Sequence, residues 1–273
     1  MSLSGWTAVI SGGSRGIGLE IGLALGRLGA NVVLLAKTSE PHPKLPGTVH
    51  TAVADIEATG AAAVAVVGDV REDDDVARAV HTAVDRFGGV DICINNASAL
   101  NVSPTGQLPL KRFDLMMDIN IRGTFALTQA CLPHLKKSDH AHVLTLSPPL
   151  NLSARWLGAH PAYTVSKYGM TTLALGFAAE FAPFGIASNC LWPETTIATA
   201  AVTNILGGDQ MVAHSRQPQI MADAAALILQ TSPPSLTGQC LIDADVLTEH
   251  GVTDLSRYGG EAPLEYDIFV DPR

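Results

Sequence analysis

The chain has 273 residues, of which 47% are hydrophobic and 16% are charged, and its formal net charge is −9. This apolar content excludes disorder as a description of the whole chain, and the length indicates one or two domains. An acidic chain without a lysine- and arginine-rich run is not expected to bind nucleic acid. A membrane span is not expected either, because even the uncharged segment 224–242 contains Pro233, Pro234 and Gly238.

The N-terminus and the cysteines indicate the compartment. Residues 1–6 contain neither the basic segment nor the apolar segment of a secretory signal, which predicts a cytoplasmic protein. The cysteines are far apart in sequence and form no C-x-x-C pair, so we interpret them as reduced core thiols and predict no metal site. They are Cys93, Cys131, Cys190 and Cys240.

Strand-like and helix-like segments alternate along the chain. Strands are predicted at 6–11, 31–36, 62–67, 90–94, 142–146, 186–192 and 236–242. Helices are predicted at 16–28, 49–59, 76–87, 108–136 and 160–181, and 195–230 is interpreted as broken helix and loop. Continuous apolar strands between helices predict an α/β fold, a doubly wound parallel sheet of about seven strands with helices on both faces. No linker interrupts the pattern, so we expect one domain over 1–273, with irregular segments at 37–48 and 251–273.

Local signals mark several helix ends. Gly29 and Gly60 are expected to end the first two helices, and Thr48 is expected to cap the second. The acidic run 72–75 could suggest metal binding, but carboxylates in the first turn of a helix also favour its positive dipole end. We prefer this second interpretation.

A glycine-rich loop follows the first strand and opens the first helix in the pattern G-x-x-x-G-x-G. Glycines allow a tight turn and a close approach to a pyrophosphate, which the helix N-terminus attracts. In this context the motif predicts a dinucleotide site rather than a plain turn. The expected cofactor contacts are Gly12, Ser14, Arg15, Gly16, Ile17 and Gly18.

The end of the second strand indicates which dinucleotide binds. The acid that would bind a ribose 2′-hydroxyl is missing, and Lys37 stands there instead. Lys37 and Arg15 suit a 2′-phosphate, which favours NADP(H) over NAD(H). Two alternatives remain open: Lys44 supplies the charge, or Lys37 is a solvated residue at the strand end.

Further motifs are found in chain order. Asp69 follows the third strand, Asn95-Asn96-Ala97-Ser98 follows the fourth, and Tyr163 and Lys167 form Y-x-x-x-K. With the glycine loop, these motifs resemble those of the short-chain dehydrogenase/reductases over residues 6 to about 193. The resemblance implies a Rossmann-like fold, an Asp69 near the adenine, and a cofactor contact from Asn96.

A narrower set of segments comprises Ala36-Lys37-Thr38 with Pro41–Leu45, Asn95–Ala99, Leu146–Leu152 and Leu191-Trp192-Pro193. These segments resemble the hydroxysteroid dehydrogenase-like protein 2 group. Larger members of that group carry a C-terminal sterol-carrier domain. The chain resembles their dehydrogenase portion alone.

Tyr163 and Lys167 lie four positions apart on a predicted helix, so their side chains share one face. The resemblance implies that Tyr163 is the general acid in carbonyl reduction and the base in alcohol oxidation. Moving the pKa of a phenol from about 10 to about 7 requires roughly 4 kcal/mol in favour of phenolate. We expect Lys167 and an oxidised nicotinamide to supply it, and Lys167 also to bind the nicotinamide ribose.

The serine of the expected site is displaced in sequence. The family usually has a serine about 13 residues before the tyrosine, but position 150 is Leu. Ser147 lies 16 residues before Tyr163 and is followed by Pro148-Pro149, so we predict a lengthened loop in which Ser147 serves. Ser153 is a weaker substitute, and the third possibility is that the hydroxyl is missing.

Three more residues follow from the resemblance. Asn120 is expected at a helix irregularity, where it helps to hold a proton-relay water. After Pro193 the usual glycine is replaced by Glu194. One of the next residues, Thr195 or Thr196, is expected to reach the nicotinamide carboxamide.

The segment 195–218 is expected to form a substrate lid. Its apolar residues suit a hydrophobic substrate, although core packing of a lid helix would explain them equally well. Trp156, Trp192 and His160 are candidates for the pocket wall, with a structural role preferred for His160.

These observations predict an NADP(H)-dependent oxidoreductase that interconverts an apolar alcohol and its carbonyl by hydride transfer. The alternatives are an enoyl- or dienoyl-thioester reductase, and an NADP-binding sensor or scaffold with weak catalysis. The resemblance also implies a homo-oligomer, a dimer or tetramer.

Overall fold

A seven-stranded parallel sheet forms the centre of the computed structural model, which describes residues 2–42 and 45–272. The strand order is β3-β2-β1-β4-β5-β6-β7, and all neighbouring strands pair in parallel. The order reverses between β1 and β4, which is where open α/β sheets place their ligand crevice. The strands are β1 (Thr7–Ser11), β2 (Asn31–Ala36), β3 (Ala63–Val67), β4 (Ile92–Asn95), β5 (His142–Thr145), β6 (Ala187–Trp192) and β7 (Cys240–Ile242).

Helices cover both faces of the sheet. Successive strand residues point to opposite faces, so Ile10 packs with one core cluster and Val9 with the other. The first cluster contains residues of α1, α2, α9 and α10, and the second contains residues of α3, α5 and α7. The doubly wound fold predicted from the sequence is confirmed. The helices are α1 (Gly16–Arg27), α2 (Val49–Glu57), α3 (Asp73–Phe87), α4 (Leu110–Met116), α5 (Gly123–Leu135), α6 (Ala154–Ala159), α7 (Pro161–Phe181), α8 (Gly208–Ala213), α9 (Gln219–Leu229) and α10 (Asp243–Glu249).

The predicted helix ends agree with the structure. The Thr48 hydroxyl accepts a hydrogen bond from the Thr51 N–H, and the Thr51 hydroxyl accepts one from the Thr48 N–H, forming a capping box. Gly29 and Gly60 lie just past α1 and α2 with φ near +90°, a conformation in which glycine is unstrained. The acidic run places three aspartates in the first turn of α3.

The long helix predicted at 108–136 is interrupted. A π-helical segment, Met117–Arg122, separates α4 from α5. The segment carries the fully buried Asn120, whose amide bonds the backbone of Ala99. The last strand is also shorter than predicted and begins at Cys240, because Gly238 has a φ of +70°, which lies outside the extended region of a strand.

Two further expectations concern a membrane-spanning helix and the state of the cysteines. Within 2–42 and 45–272, no helix is long and apolar enough to cross a membrane. The four cysteines are free thiols, three buried and Cys240 half-buried.

Candidate active site

The glycine loop lies at the start of α1, beside the point where the strand order reverses. Gly12 and Gly16 have φ of +72° and +57°. A Cβ on Gly12 would lie 2.9 Å from the Ala97 Cα, and a Cβ on Gly18 would lie 2.4 Å from the Asn96 Nδ2. These short distances explain why glycine occupies positions 12 and 18, because real Cβ atoms do not come so close to other groups.

Asn96 holds the glycine loop against the end of β4. Its side-chain amide donates to the carbonyl oxygens of Ser11 and Gly12, both at 2.9 Å. The Ser11 hydroxyl in turn accepts from the N–H groups of Asn96 and Ala97. Asn96 thus supports the loop and also lines the cleft above it, and its contact with a cofactor stays a prediction.

A cleft of about 880 Å³ opens over this loop. Gly18 is buried beneath the loop and does not line the cleft, whereas the other residues expected to contact a cofactor's phosphates and adenosine do. These are Gly12, Ser14, Arg15, Gly16, Ile17, Lys37, Asp69 and Asn96. Lys44, the alternative cation, lies outside the described residues. The glycine cradle, the helix N-terminus and the cations on the wall fit a dinucleotide.

The cations of the cleft have protein partners. Arg15 donates to the carbonyl oxygens of Pro46 and Gly47. The Lys37 ammonium lies 3.1 Å from Asp69, which also accepts from Arg71 at 2.6 Å. Burial raises the pKa of Asp69, but its hydrogen bonds with Arg71 and Lys37 outweigh this and hold the pKa at about 2. Arg71 was not among the residues predicted from the sequence.

A smaller cavity of about 170 Å³ contains the Y-x-x-x-K pair. Tyr163 and Lys167 both line it, as expected for residues four apart on α7. Lys167 is almost fully buried, and its ammonium donates to the Leu146 carbonyl at 2.6 Å. The ammonium also lies 4.9 Å from the centre of the Trp192 ring.

The electrostatics of this pair differ from the expected lowering of the tyrosine pKa. Burial raises the pKa of Tyr163, because the phenolate would lose its hydration, and Asp267 adds to the effect. Burial likewise lowers the pKa of Lys167 to about 7. Lys167 thus carries its positive charge only in part at neutral pH. The expected lowering of the tyrosine pKa includes the positive charge of an oxidised nicotinamide, and it stays a prediction.

Asn120 faces inward from the π-helical segment. Its carbonyl oxygen accepts from the Ala99 N–H at 2.7 Å, and its amide donates to the Ala99 carbonyl and the Ser166 hydroxyl. These bonds hold the loop after β4 against α7, near Tyr163. The helix irregularity lies where it was expected, and the side chain itself binds protein groups.

Ser147 does not share the cavity with Tyr163. Its side chain is fully buried, and its hydroxyl has no hydrogen-bond partner among residues 2–42 and 45–272. It lies close enough to the Cys190 thiol to influence its pKa. The Ser147 hydroxyl therefore lies beside Cys190 of β6, and it does not line the cavity that contains Tyr163. Ser153, the weaker substitute, precedes α6 and is exposed.

Neither threonine expected at the carboxamide lines the cleft or the cavity. The Thr196 hydroxyl shares a 2.7 Å hydrogen bond with Ser215, and the buried Thr195 hydroxyl has no partner in the described part of the chain. Thr199 instead lines both the cleft and the cavity. The lid turns between Thr196 and Thr199, and the residue types alone did not predict which threonine would line the site.

The lid and one of the three aromatic candidates form the apolar wall. Trp192 lines the cavity, whereas Trp156 and His160 do not. His160 bonds the Val102 carbonyl at 2.9 Å, which agrees with the structural role preferred for it. The lid residues on the wall are Ile197, Thr199, Ala201, Val202 and Leu206.

Two carboxyl groups near the cavity were not predicted. Asp243 follows β7 and accepts hydrogen bonds from the N–H groups of Glu194 and Ala244. Asp267 lies in the C-terminal tail and lines the cavity with Tyr163. The signal for Asp243 was its position at the carboxyl end of a strand. The signal for Asp267 was an acid within the apolar run Tyr266–Val270.

Comparison with known proteins agrees with this geometry. Residues 6–208 match the family model described as short chain dehydrogenase. The chain belongs to the short-chain dehydrogenase family. The resemblance drawn from the motifs is thus confirmed, and with it an oxidoreductase family whose members bind nicotinamide dinucleotides.

The relatives of this short-chain dehydrogenase include curated and solved proteins. Hydroxysteroid dehydrogenase-like protein 2 of Danio rerio is 50% identical over 271 residues, which are 98% of this chain and 65% of that protein. A short chain dehydrogenase from Mycobacterium thermoresistibile is 54% identical with a TM-score of 0.93, covering 99% of this chain and 96% of that one. A structure from Xanthomonas campestris is 48% identical with a TM-score of 0.96, covering both chains fully.

Proposed function

We propose that this short-chain dehydrogenase is an NADP(H)-dependent oxidoreductase that interconverts an apolar alcohol and its carbonyl. The observation that carries the proposal is the common cavity of Tyr163 and Lys167, walled by the lid and by Trp192. Several residues line both this cavity and the cofactor cleft, among them Ile17, Asn96 and Thr199, so the two sites adjoin. A substrate in the cavity would therefore lie beside a cofactor in the cleft.

The bound nicotinamide dinucleotide supplies or accepts the hydride. In carbonyl reduction, the Tyr163 hydroxyl gives its proton to the substrate oxygen, and in alcohol oxidation the Tyr163 phenolate takes that proton. Lys167 is held by the Leu146 carbonyl beside the tyrosine and favours the phenolate when it is charged. The apolar side chains of the wall limit hydration of the pair, which strengthens these electrostatic interactions.

The substrate class follows from the wall of the cavity. Its lining includes Leu100, Trp192, Ile197, Val202 and Leu206, and it is predominantly apolar. Such a wall stabilises a hydrocarbon group by about 25 cal/mol per Å² of buried apolar surface. We therefore propose an aliphatic or terpenoid alcohol or carbonyl as substrate.

Turnover with a substrate panel tests this function. NADP⁺ is offered with apolar alcohols, and NADPH with apolar ketones, aldehydes and enoyl thioesters. We expect turnover of alcohols and carbonyls that Tyr163→Phe abolishes while cofactor affinity changes by less than about threefold, under 1 kcal/mol. Reduction of enoyl thioesters alone would favour the reductase alternative. Absence of turnover across the panel would favour the sensor.

The choice of NADP(H) rests on charge. Arg15, Lys37, Asp69 and Glu20 line the cleft, and with Arg71 beside Asp69 they sum to a formal charge of 3 − 2 = +1. Asp69 holds Lys37 at the end of β2, and a 2′-phosphate would compete for its exposed ammonium. A charge-assisted hydrogen bond contributes about 1.5–3 kcal/mol, or roughly 10- to 100-fold in affinity.

Fluorescence titration with NADPH and NADH tests the cofactor. We expect NADPH to bind more tightly, and Lys37→Ala and Arg15→Ala each to weaken NADPH at least about tenfold with little effect on NADH. Lys111→Ala is the matched control, because Lys111 is exposed on α4 outside the cleft. Tighter binding of NADH by the unchanged protein would overturn the NADP(H) assignment.

We also propose that residues 1–273 fold as one domain and that the protein forms a homo-oligomer in the cytoplasm. Support for oligomerisation comes from exposed apolar side chains on two helices, Phe125 on α5 and Val165 on α7. Light scattering of Phe125→Glu and Val165→Lys, with the exposed Leu110→Lys as control, tests the assembly. Dissociation of only the first two variants is expected, and a monomeric unmodified protein would contradict the proposal.

A further inference from the structure

Residues 265–271, here called the C-terminal strap, cross the catalytic cavity. The Asp267 N–H donates to the Glu194 carbonyl at 3.0 Å, and the Trp192 indole N–H donates to the Ile268 carbonyl at 2.9 Å. The strap is thereby bonded to the end of β6 and to the loop that follows it. It is part of the wall of the cavity, since Asp267 and Ile268 both line it.

Phe269 anchors the strap beneath the catalytic tyrosine. Its ring is 1% exposed, and its centre lies 6.0 Å from the Tyr163 ring and 5.0 Å from the Tyr168 ring. Its φ is +78°, a left-handed conformation that costs a non-glycine residue about 1–3 kcal/mol. Burial of the ring offsets this cost, so the backbone two residues after Asp267 is fixed in an otherwise unfavourable turn.

The carboxyl of Asp267 is a polar group on a mostly apolar wall. It accepts a hydrogen bond from the Ile268 N–H, and it faces Tyr163 and Lys167. Burial, with a smaller contribution from the charge of Asp243, raises the pKa of Asp267 to about 7, although the Ile268 N–H and Lys167 both act to lower it. A large fraction of Asp267 is therefore an uncharged carboxylic acid at neutral pH, a form that donates a hydrogen bond.

The end of β5 provides no such donor. The Ser147 hydroxyl is buried away from the cavity, and Pro148 has neither a hydroxyl nor an N–H. A substrate oxygen bonded by Tyr163 therefore lacks a second donor from this loop. A second donor matters, because negative charge develops on that oxygen as the hydride arrives.

We propose that Asp267, as a carboxylic acid, donates a hydrogen bond to the substrate carbonyl oxygen beside the Tyr163 hydroxyl. This role rests on the proposed carbonyl chemistry. During reduction the hydride and its electron pair bond to the carbonyl carbon, and the Tyr163 proton bonds to the oxygen. The phenolate then regains a proton from solvent. Asp267 keeps its own proton throughout, because its part is to stabilise the developing alkoxide.

The pH dependence follows from the groups that face Asp267. These are Tyr163 and Lys167 on α7 and Asp243 at the start of α10. Glu194, in the loop after β6, contacts the strap through its backbone carbonyl, and its charge raises the pKa of Asp243. Carbonyl reduction is expected to fall as pH rises through about 7, since a carboxylate repels the alkoxide where the acid stabilised it. Asparagine at 267 keeps a donor that does not titrate, and leucine removes it.

The test compares kcat/KM for NADPH-dependent reduction of medium-chain ketones and aldehydes between pH 5.5 and 8.5. We expect Asp267→Leu to lose about 100-fold at pH 6, the usual effect of removing an oxyanion donor. Asp267→Asn is expected to keep most of the activity at pH 6 and to show a shallower decline near pH 7, because only Lys167 of this pair then titrates there. Asp271→Asn, the same change on the same strap outside the cavity, is expected to keep the original profile.

A substrate-independent measurement separates the two proposals. Carboxyl-¹³C aspartate labelling, with Asp267→Asn for assignment, reports the titration of Asp267 directly. A midpoint near 7 is expected, and one near the ordinary value of about 4 would overturn the acid form. Full turnover by Asp267→Leu would overturn the role of Asp267 alone. A panel that the unmodified protein does not reduce would instead refute the proposed function.

Discussion

Substitution of Gly18 by alanine tests the close packing under the cofactor cleft. The new Cβ would lie 2.4 Å from the Asn96 Nδ2 and 2.7 Å from the Gly12 carbonyl oxygen. The Asn96 amide must move, and it would lose its two 2.9 Å hydrogen bonds to Ser11 and Gly12, about 1 kcal/mol each. Overpacking adds about 1–3 kcal/mol, and the better helix propensity of alanine returns about 1 kcal/mol. The expected net loss is about 2–4 kcal/mol.

Urea unfolding and cofactor titration measure the effect of Gly18→Ala. Stability should fall by the amount just given, and cofactor affinity by more than about tenfold, since the displaced Gly12 belongs to the cradle. Gly176→Ala is the matched control: Gly176 lies in α7 with no atom within 4 Å of its would-be Cβ. That variant should gain up to about 1 kcal/mol and bind the cofactor normally. A Gly18→Ala protein with unchanged stability and affinity would refute the packing argument.

Three further predictions concern stability. Thr48→Ala removes the capping box of α2 and should cost about 1 kcal/mol in urea unfolding, whereas Thr48→Ser should cost much less. Burial lowers the pKa of His142 from 6.5 to about 4, so the folded state binds fewer protons than the unfolded state between these pH values. The free energy of unfolding should therefore fall by about 3 kcal/mol as the pH drops from 6.5 to 4. His142→Gln should remove this decline. Burial raises the pKa of Asp243 from 3.8 to about 7. Its contribution to the free energy of unfolding is therefore complete below pH 3.8 and is lost as the pH rises through 7. Asp243→Asn should remove that part of the pH dependence.

The parts of the site that are local in sequence could be predicted. The glycine loop can be recognised from seven residues between a strand and a helix. Helical spacing alone places Tyr163 and Lys167 on one face of their helix. Thr48 likewise signals the start of α2 through the next three residues. In each case the relevant contacts lie within a few positions, so residue type and spacing suffice.

The parts that depend on distant contacts could not be predicted. The strap is held by contacts between residues that are distant in sequence. The Trp156 indole N–H, for example, donates a hydrogen bond to Asp271, 115 positions later. Ser147 was expected in the cavity from the family resemblance and a lengthened loop, but its hydroxyl lies beside Cys190, 43 positions away in sequence. Asp69 was expected near the adenine, and its bond to Arg71 arises from the geometry of the loop after β3.

The site contains several buried titratable groups, and burial disfavours the charged form of each. Burial lowers the pKa of Lys167 to about 7 and raises that of Asp267 to about 7, so both change protonation near neutral pH. A positive charge brought into the cavity lowers both pKa values and that of Tyr163.

Binding of oxidised cofactor, whose nicotinamide is cationic, should therefore release protons near pH 7, and binding of reduced cofactor should release fewer. Calorimetry in buffers of different ionisation enthalpy measures the difference. Asp267→Asn should reduce the release on oxidised-cofactor binding, and Asp271→Asn should leave it unchanged. Equal proton release with both cofactor forms would mean that the buried groups do not sense the charge of the ring.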